Sequence, residues 1–449
     1  MTDIIVIGGG AAGWSAALAA VQSGASVLLL EKLPQSGGSS AMSGGCLALA
    51  GTDLQSKQGV IDSPDLLFKD LCEVGQHMND AGLVRTYCDA QLETYGWLKE
   101  ANVSFSPIIE TASGQSVPRV HTVDPADLVR ALKAAAEQSG KMEYRPSTSA
   151  EALLTNDNGR VTGVRLTTGE DIMARKAVVI TSGGFAKNPE MLHQYAPQYA
   201  EAVFVAGAGS QGDGLHMATA LGADLRDMDY VKGTFGKHPT DETNDHSLQA
   251  VYKGAIAVNQ DGVRFVNESI SYKLLGDAVM AQPWHTAYQI MDQGIFDTGD
   301  DRVRILDFGR RLEEGLFYIG QTLEELAVQI EIDPSTLVDT VTKYNGYVEA
   351  GHDPEFGRKH LVHQHGALRK IETGPYYAYP STAVVFGTYC GVRIDVKAHV
   401  LRADGSVIDG LLAAGEVTGG FHGAAYMTGS ALGKAVVFGR IAGIEAAAA

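Results

Sequence analysis

The stretch from Ile4 to Lys32, IIVIGGGAAGWSAALAAVQSGASVLLLEK, constrains the fold of this chain more than any other. Ile4 to Ile7 is a continuous apolar run, as a strand buried on both faces of a parallel sheet requires. Gly8, Gly10 and Gly13 then stand in Gly-x-Gly-x-x-Gly spacing, and Ala11 to Gln22 is rich in helix formers. Ser26 to Leu30 is a second apolar run, and it ends in Glu31. Strand, glycine turn, helix, strand and acid together form a dinucleotide-binding unit. Gly8 permits the tight turn, Gly10 lets the backbone approach a pyrophosphate, and Gly13 lets helix pack against sheet. Glu31 is placed to accept hydrogen bonds from the adenosine ribose hydroxyls.

The glycines elsewhere repeat this theme. Glycine makes up 53 of 449 residues, about 12% against a usual share of roughly 7%. There is no Gly-every-third repeat and 45% of residues are hydrophobic, which excludes collagen and low complexity. A second cluster is Gly37-Gly38-Ser39-Ser40 with Ser43-Gly44-Gly45. A third closes the apolar run AVVI at Ser182-Gly183-Gly184, and a fourth is the C-terminal run GLLAAGEVTGGFHGAAYMTGSALGKAVVFGRIAG. Four sites of close backbone approach, spread along the chain, suit a long extended ligand better than one nicotinamide nucleotide. FAD, held non-covalently, is the expected cofactor.

Composition removes other classes. A formal charge of −18 disfavours a nucleic-acid surface and repels anionic membranes. No run reaches the roughly 18 uninterrupted apolar residues of a membrane helix. Cys46, Cys72, Cys88 and Cys390 show no CxxC or CxxCH spacing, so no disulfide framework, zinc site or haem attachment is expected, and no metal. The chain opens directly into a strand without a leader pattern, and a reducing, cytoplasmic setting is the expectation.

The layout predicted is α/β: a discontinuous Rossmann-type FAD-binding domain, residues 1–229 and 371–449, with an inserted α+β capping domain, residues 230–370. Residues 142–181 read as short strands with turns at Asn156–Gly159 and Thr168-Gly169. In the insertion, Thr322 and Ser335 mark two helix starts, and AIAVN-QDG-VRFVN predicts a β-hairpin.

With GGGAAG…EK, GGSSAMSGG, TSGGFAKN, GSQGDGLHMATALGADL, GAIAVNQDGVRFVNES and the C-terminal run in hand, the chain resembles the fumarate reductase flavoprotein/3-ketosteroid dehydrogenase family of FAD enzymes over essentially its whole length. The resemblance implies FAD contacts from Gly8, Gly10, Ala12, Gly13, Glu31, Lys32, Gly38, Ser39, Ser40, Ser43, Gly44 and Gly45. It extends them to Ser182, Gly183, Gly184, Asp213, Gly415, Glu416, Ser430, Ala431 and Leu432. It also implies a substrate pocket between the FAD domain and a mobile cap, and chemistry at a carbon–carbon bond beside a carbonyl or carboxyl group.

The dicarboxylate-reducing members of that family use two arginines that this chain lacks. Where a proton-donating arginine follows the cap's Asn-Glu, this chain reads Asn267-Glu268-Ser269-Ile270-Ser271-Tyr272. Where a carboxylate-clamping arginine follows His-Gly-x-x, it reads His422-Gly423-Ala424-Ala425-Tyr426, and Gly387 or a neighbour replaces a family histidine. An arginine fork pairs both carboxylate oxygens, whereas a phenol is a single donor suited to a neutral ketone or its enolate. Tyr426-Met427-Thr428-Gly429 resembles the Tyr-x-[Ser/Thr]-Gly of 3-ketosteroid 4-dehydrogenases. By that resemblance Tyr272 exchanges the proton alpha to the ketone. Tyr426, assisted by Thr428, holds the developing enolate, and the helix from Ser430 directs its N-terminus at the flavin.

The expected substrate is therefore a ketone/enone pair, steroid or smaller, with an external electron donor or acceptor. A carboxylate-directed ene-reductase is the alternative and would need Arg302, Arg304 or Arg393 as substitutes. His238, within a family-like His-Pro-Thr, reads as structural and His121 as a helix lead-in. Cys46 reads as packing, and Tyr376, Tyr377, Tyr379 and Tyr389 as strand aromatics. Trp14 is unexpectedly bulky for its helix turn.

Overall fold

The computed structural model describes residues 2–112, 114–200, 202–231, 233–241, 246–362 and 366–449. Within it, the two apolar runs of the nucleotide unit are the neighbouring parallel strands Thr2–Ile7 and Val27–Leu30, in register from Ile4 opposite Val27 to Ile7 opposite Leu30. Helix Ala11–Gln22 makes the crossover. These strands lie in an eight-stranded sheet ordered His399–Leu401, Val407–Ala413, Asp171–Ile180, Thr2–Ile7, Val27–Leu30, Met142–Arg145. Its central neighbours are parallel, while the edge pair His399–Leu401 with Val407–Ala413 is antiparallel. Ala150–Thr155 and Val161–Leu166 extend it as an antiparallel meander from the outer half of Asp171–Ile180.

Backbone contact sets the helix layer. A Cβ on Gly13 would lie 1.9 Å from the Gly8 carbonyl oxygen, so the helix can approach its own strand only because that side chain is missing. Helix Ser430–Ala448 crosses Ala11–Gln22 just as tightly. Cβ atoms at Gly439 and Gly443 would lie 2.5 Å and 2.2 Å from the Ala12 and Ala16 carbonyl oxygens. The bulk of Trp14 also finds its reason here. Its fully buried ring lies 5.3 Å from that of Tyr144 with the Lys133 ammonium 5.7 Å away, filling the seam between Ala11–Gln22 and helix Pro125–Glu137.

The chain divides into two compact units. The first comprises Met1–Ala200, Ala206–Val231 and Phe386–Ala449; the second comprises Glu201–Val205 and Lys232–Val385. The chain re-enters the first unit later than the division drawn from the sequence, because strand Tyr376–Val385 is the shared strand of the second unit's six-stranded sheet. It pairs with Val203–Phe204, Thr234–Lys237, Ala287–Asp292 and Tyr318–Gly320.

Two local expectations are corrected in that unit. The segment 255–267 is not a full hairpin. Ile256–Val258 pairs with Ala287–Asp292, and the return arm makes one bridge, Val258 with Arg264. Arg264 is drawn instead into buried ion pairs with Glu268 and Asp353, 2.8 Å and 2.9 Å away. The helix expected from Ser335 is Pro334–Ala350, capped by the Asp333 carboxylate on the Thr336 N–H, while Thr322 does cap Leu323–Gln329. Among the described residues, no helix is long and apolar enough to cross a membrane, and no His, Cys, Asp and Glu group could hold a metal.

Candidate functional site

Parallel pairing brings the glycine clusters together at the C-terminal ends of the first unit's strands, where open α/β sheets bind ligands. The Thr181 hydroxyl donates to the Ile7 and Gly8 carbonyls, both at 2.9 Å, tying the third cluster to the first. Gly8 has φ +108°, and a Cβ there would meet the Thr181 carbonyl oxygen at 2.6 Å. The Ser40 hydroxyl accepts the Ala11 N–H at 3.1 Å, so the second cluster sits at the start of helix Ala11–Gln22. Ser43 donates to the Ser40 carbonyl and accepts the Gly45 N–H, stiffening that loop. Ser39 accepts the Gly207 N–H at 3.0 Å and lies 3.2 Å from Ser210, which brings in the GSQGDG segment.

The fourth cluster closes the cradle. A Cβ on Gly184 would lie 2.1 Å from Thr388 Oγ1 and 2.6 Å from Glu416 Oε1. Glu416 accepts the Thr388 N–H at 3.0 Å, and burial pushes its carboxyl above the ordinary range. The buried Glu31 carboxylate accepts N–H bonds from Gly9 and Leu33 at 2.9 Å and 2.8 Å. Lys32 and Asp213 pair at 2.5 Å. The Ser182 hydroxyl is buried and has no hydrogen-bond partner among the described residues.

These features fit a dinucleotide. The backbone is bare where a pyrophosphate must approach, and helix Ala11–Gln22 offers its N-terminus with only glycine at the cap. The Glu31 carboxylate is of the kind that accepts ribose hydroxyls, and the Ser182 hydroxyl, without a partner among the described residues, is available to a polar group.

The first unit also holds a polar end at helix Ser430–Ala448. Gly429, its N-cap, has φ +88° and supplies no capping side chain. Tyr426 Oη accepts the Gly429 N–H at 3.0 Å. Burial pushes the Tyr426 phenol above its usual range, while the Gly429 and Ala431 N–H groups pull it part of the way back. The net upward shift holds the Tyr426 oxygen as a neutral phenol, a single hydrogen-bond donor. Thr428 is half-buried nearby, its carbonyl accepting from Gln115 Nε2 at 3.0 Å.

Tyr389 departs from the sequence expectation. It is no strand aromatic but a buried loop residue at φ +58°, its ring 4.9 Å from that of Tyr426. His422 fills the third corner, 5.5 Å from Tyr426 and 5.4 Å from Tyr389. A left-handed aromatic residue is strained, and such strain concentrates at functional sites.

In the second unit, Glu268 is fully buried and accepts two 2.8 Å hydrogen bonds from the Arg264 fork, with Arg358 at 3.3 Å. This anchor fixes the turn that ends in Ser271, whose hydroxyl accepts the Lys273 N–H and caps helix Tyr272–Met280. Tyr272 is thereby the first helical residue, half-buried. Burial pushes His238 down to about 4, and its Nδ1 lies 2.9 Å from the Thr240 hydroxyl.

His121 is corrected from helix lead-in to strand residue. Nδ1 lies 2.9 Å from the Arg119 carbonyl, so it carries the proton, and Nε2 accepts from Thr52 at 2.7 Å. Arg119 was not singled out from the sequence. It is fully buried, forks onto Asp62 and reaches Asp70 at 2.8 Å. The substitute arginines are placed less favourably for a carboxylate. Arg302 is exposed with its fork on Asp300, Arg393 lies 3.4 Å from Asp224, and Arg304 is exposed.

A family model described as FAD binding domain matches residues 3–432. The fumarate reductase (cytochrome) of Shewanella frigidimarina is 34% identical over 456 residues, 99% of this chain and 77% of that protein. The urocanate reductase of Eggerthella lenta is 33% identical over 464 residues, covering 99% and 74%. Among solved structures, the 3-ketosteroid-Δ4-(5α)-dehydrogenase of Rhodococcus jostii RHA1 in complex with 4-androstene-3,17-dione is similar at TM-score 0.82 and 28% identity, covering 99% of this chain and 96% of that one.

Proposed function

The chain belongs to the FAD-binding family that includes fumarate and urocanate reductases and is an FAD-dependent oxidoreductase; from that premise we propose that it interconverts a cyclic ketone and its conjugated enone. One observation carries this reading. Tyr426 Oη meets the N–H of Gly429 at a helix start, which supports the reading, drawn from the sequence resemblance, of Tyr272 and Tyr426 in place of the dicarboxylate reducers' arginines.

In this scheme the first unit is the cofactor domain and the second carries the proton-exchanging group. Gly8, Gly10 and Gly13 keep the backbone open to the pyrophosphate, Glu31 takes the ribose hydroxyls, and Ser182 to Gly184 with Glu416 hold the remainder. FAD, when bound, supplies hydride exchange at the beta carbon. Tyr272 exchanges the alpha proton through its phenol oxygen. Tyr426, with Thr428, donates a hydrogen bond to the ketone oxygen, and that bond strengthens as charge develops there. The cofactor is held non-covalently: the loop Gly37–Gly45 contains only glycine, serine, alanine and methionine, and Cys46 Sγ is turned onto the Gly44 carbonyl at 3.5 Å. Electrons enter or leave through an external partner.

The carboxylate-directed reading draws support from the 34% identity to a fumarate reductase. Against it stands Arg302, whose fork is taken up by Asp300. A spectral titration separates the two. Added to the oxidised holoprotein, 4-androstene-3,17-dione or cyclohexenone is expected to perturb the flavin absorbance saturably, with fumarate and urocanate silent. Perturbation by the carboxylates alone would overturn the ketone reading.

A further inference from the structure

In the first unit, Lys434 sits where a lysine rarely stands. It is 2% exposed, on helix Ser430–Ala448, and lysines buried this deeply are almost always ion-paired. Lys434 forms no direct ion pair among the described residues. Its Nζ donates to the Thr418 carbonyl at 2.9 Å and stands 6.0 Å from the centroid of the Phe421 ring. One hydrogen bond to a neutral carbonyl does not offset the desolvation of an ammonium. A methionine would fill a similar volume without that cost, so the charge itself calls for a reason.

The geometry around Thr418 supplies one. Thr418 closes the short turn Gly415–Val417, its N–H and its hydroxyl donating to the Gly415 carbonyl at 3.1 Å and 2.8 Å. The acid on that turn is Glu416, half-buried and hemmed in by backbone. A Cβ on Gly184 or Gly387 would stand 2.6 Å or 2.9 Å from Glu416 Oε1, which accepts the Thr388 N–H at 3.0 Å. We propose that Lys434 is a positioning residue for the cofactor cradle: its buried ammonium keeps the Glu416 carboxylate ionised, so that the carboxylate can accept hydrogen bonds from hydroxyls of the bound cofactor. The role rests on the reading that Glu416 belongs to that cradle. No proton is transferred. Lys434 acts through its field, which a buried setting screens little.

The neighbouring charges agree. Burial pushes Lys434 down to about 8, and Glu416, Asp227 and Cys390, in that order, oppose the shift. The ammonium is therefore still charged well above the ordinary carboxylate range. Burial pushes Glu416 up, and the Thr388 N–H and the Lys434 ammonium pull it back. Burial also pushes up the Cys390 thiol, which stays neutral. Asp227, raised by burial, accepts the Gly420 N–H at 2.8 Å and is the second acid in the Lys434 field.

The test uses full-length variants that separate the charge of Lys434 from its hydrogen bond. Lys434→Gln keeps a donor for the Thr418 carbonyl and removes the charge, whereas Lys434→Arg keeps both. Each protein carries isotope-labelled glutamate carboxyls and is saturated with FAD. Isotope-edited infrared difference spectra at neutral pH then report protonated glutamates. Lys434→Gln is expected to gain one such band that the wild type and Lys434→Arg lack. That band should vanish in Lys434→Gln/Glu416→Gln. The FAD dissociation constant should rise about tenfold or more in Lys434→Gln, with no further rise in the double variant. Lys434→Met serves if the glutamine variant does not fold. Wild-type behaviour of Lys434→Gln would reduce Lys434 to a hydrogen-bond donor and overturn the proposal, as would a band that survives the loss of Glu416. FAD affinity untouched by Glu416→Gln would instead remove Glu416 from the cradle, while the infrared band still reports whether Lys434 keeps it ionised.

Discussion

Replacing Tyr272 with phenylalanine is expected to slow flavin reoxidation by a conjugated enone by about 10²–10⁴-fold, the usual worth of a positioned general acid or base. The ring remains and the helix N-cap is supplied by Ser271, so folding and flavin content should be retained. Substrate affinity should change little, because the missing atom matters only when the proton moves. The loss therefore falls on kcat rather than KM. Stopped-flow reoxidation of the photoreduced protein measures it, and a change smaller than about threefold would remove Tyr272 from the chemistry.

The second large effect concerns the cofactor. Gly13→Ala places a methyl group 1.9 Å from the Gly8 carbonyl oxygen and 2.8 Å from Thr181 Oγ1. Gly8 belongs to the glycine turn and the Thr181 hydroxyl is bonded to it, so helix and strand must separate where the proposal places the pyrophosphate. The purified variant should carry less than about a tenth of the wild-type flavin and melt several degrees lower. An internal control carries the opposite sign. Gly96 lies exposed inside helix Ala81–Glu100, and a Cβ there meets nothing within 4 Å. Gly96→Ala should leave flavin content unchanged and stabilise the protein by about 0.5–1 kcal/mol. Equal behaviour of the two variants would refute the close-approach account of Gly13.

Much of the first unit was legible because its signals are local. The apolar runs, the Gly-x-Gly-x-x-Gly turn and the helix Ala11–Gln22 lie within about thirty residues, and the structure has that helix over the same span. What escaped depends on distant partners or on backbone conformation. Arg119 is one arginine in a loop-like stretch, and its carboxylate partners lie 57 and 49 residues away. His121 precedes a genuine helix start at Asp124, so a lead-in was the natural expectation, yet its position is set by pairing with the strand Cys46–Ala48. No residue pattern announces a left-handed tyrosine, so Tyr389 could be seen only as an aromatic among strands. Trp14 illustrates the same limit, since its filling of a helix seam depends on Tyr144. The motifs that contain Tyr272 and Tyr426 were legible, while the roles of the two tyrosines stay with the proposal. The burial of Lys434 was not legible, because burial of a charge is a tertiary property.

The central claim is that two tyrosines direct this flavoprotein to a neutral ketone. The most direct measurement photoreduces the purified protein anaerobically and follows the flavin spectrum as a conjugated steroid enone, cyclohexenone and fumarate are offered in turn. The account predicts rapid reoxidation by at least one of the enones and none by fumarate; reoxidation by fumarate alone would contradict it.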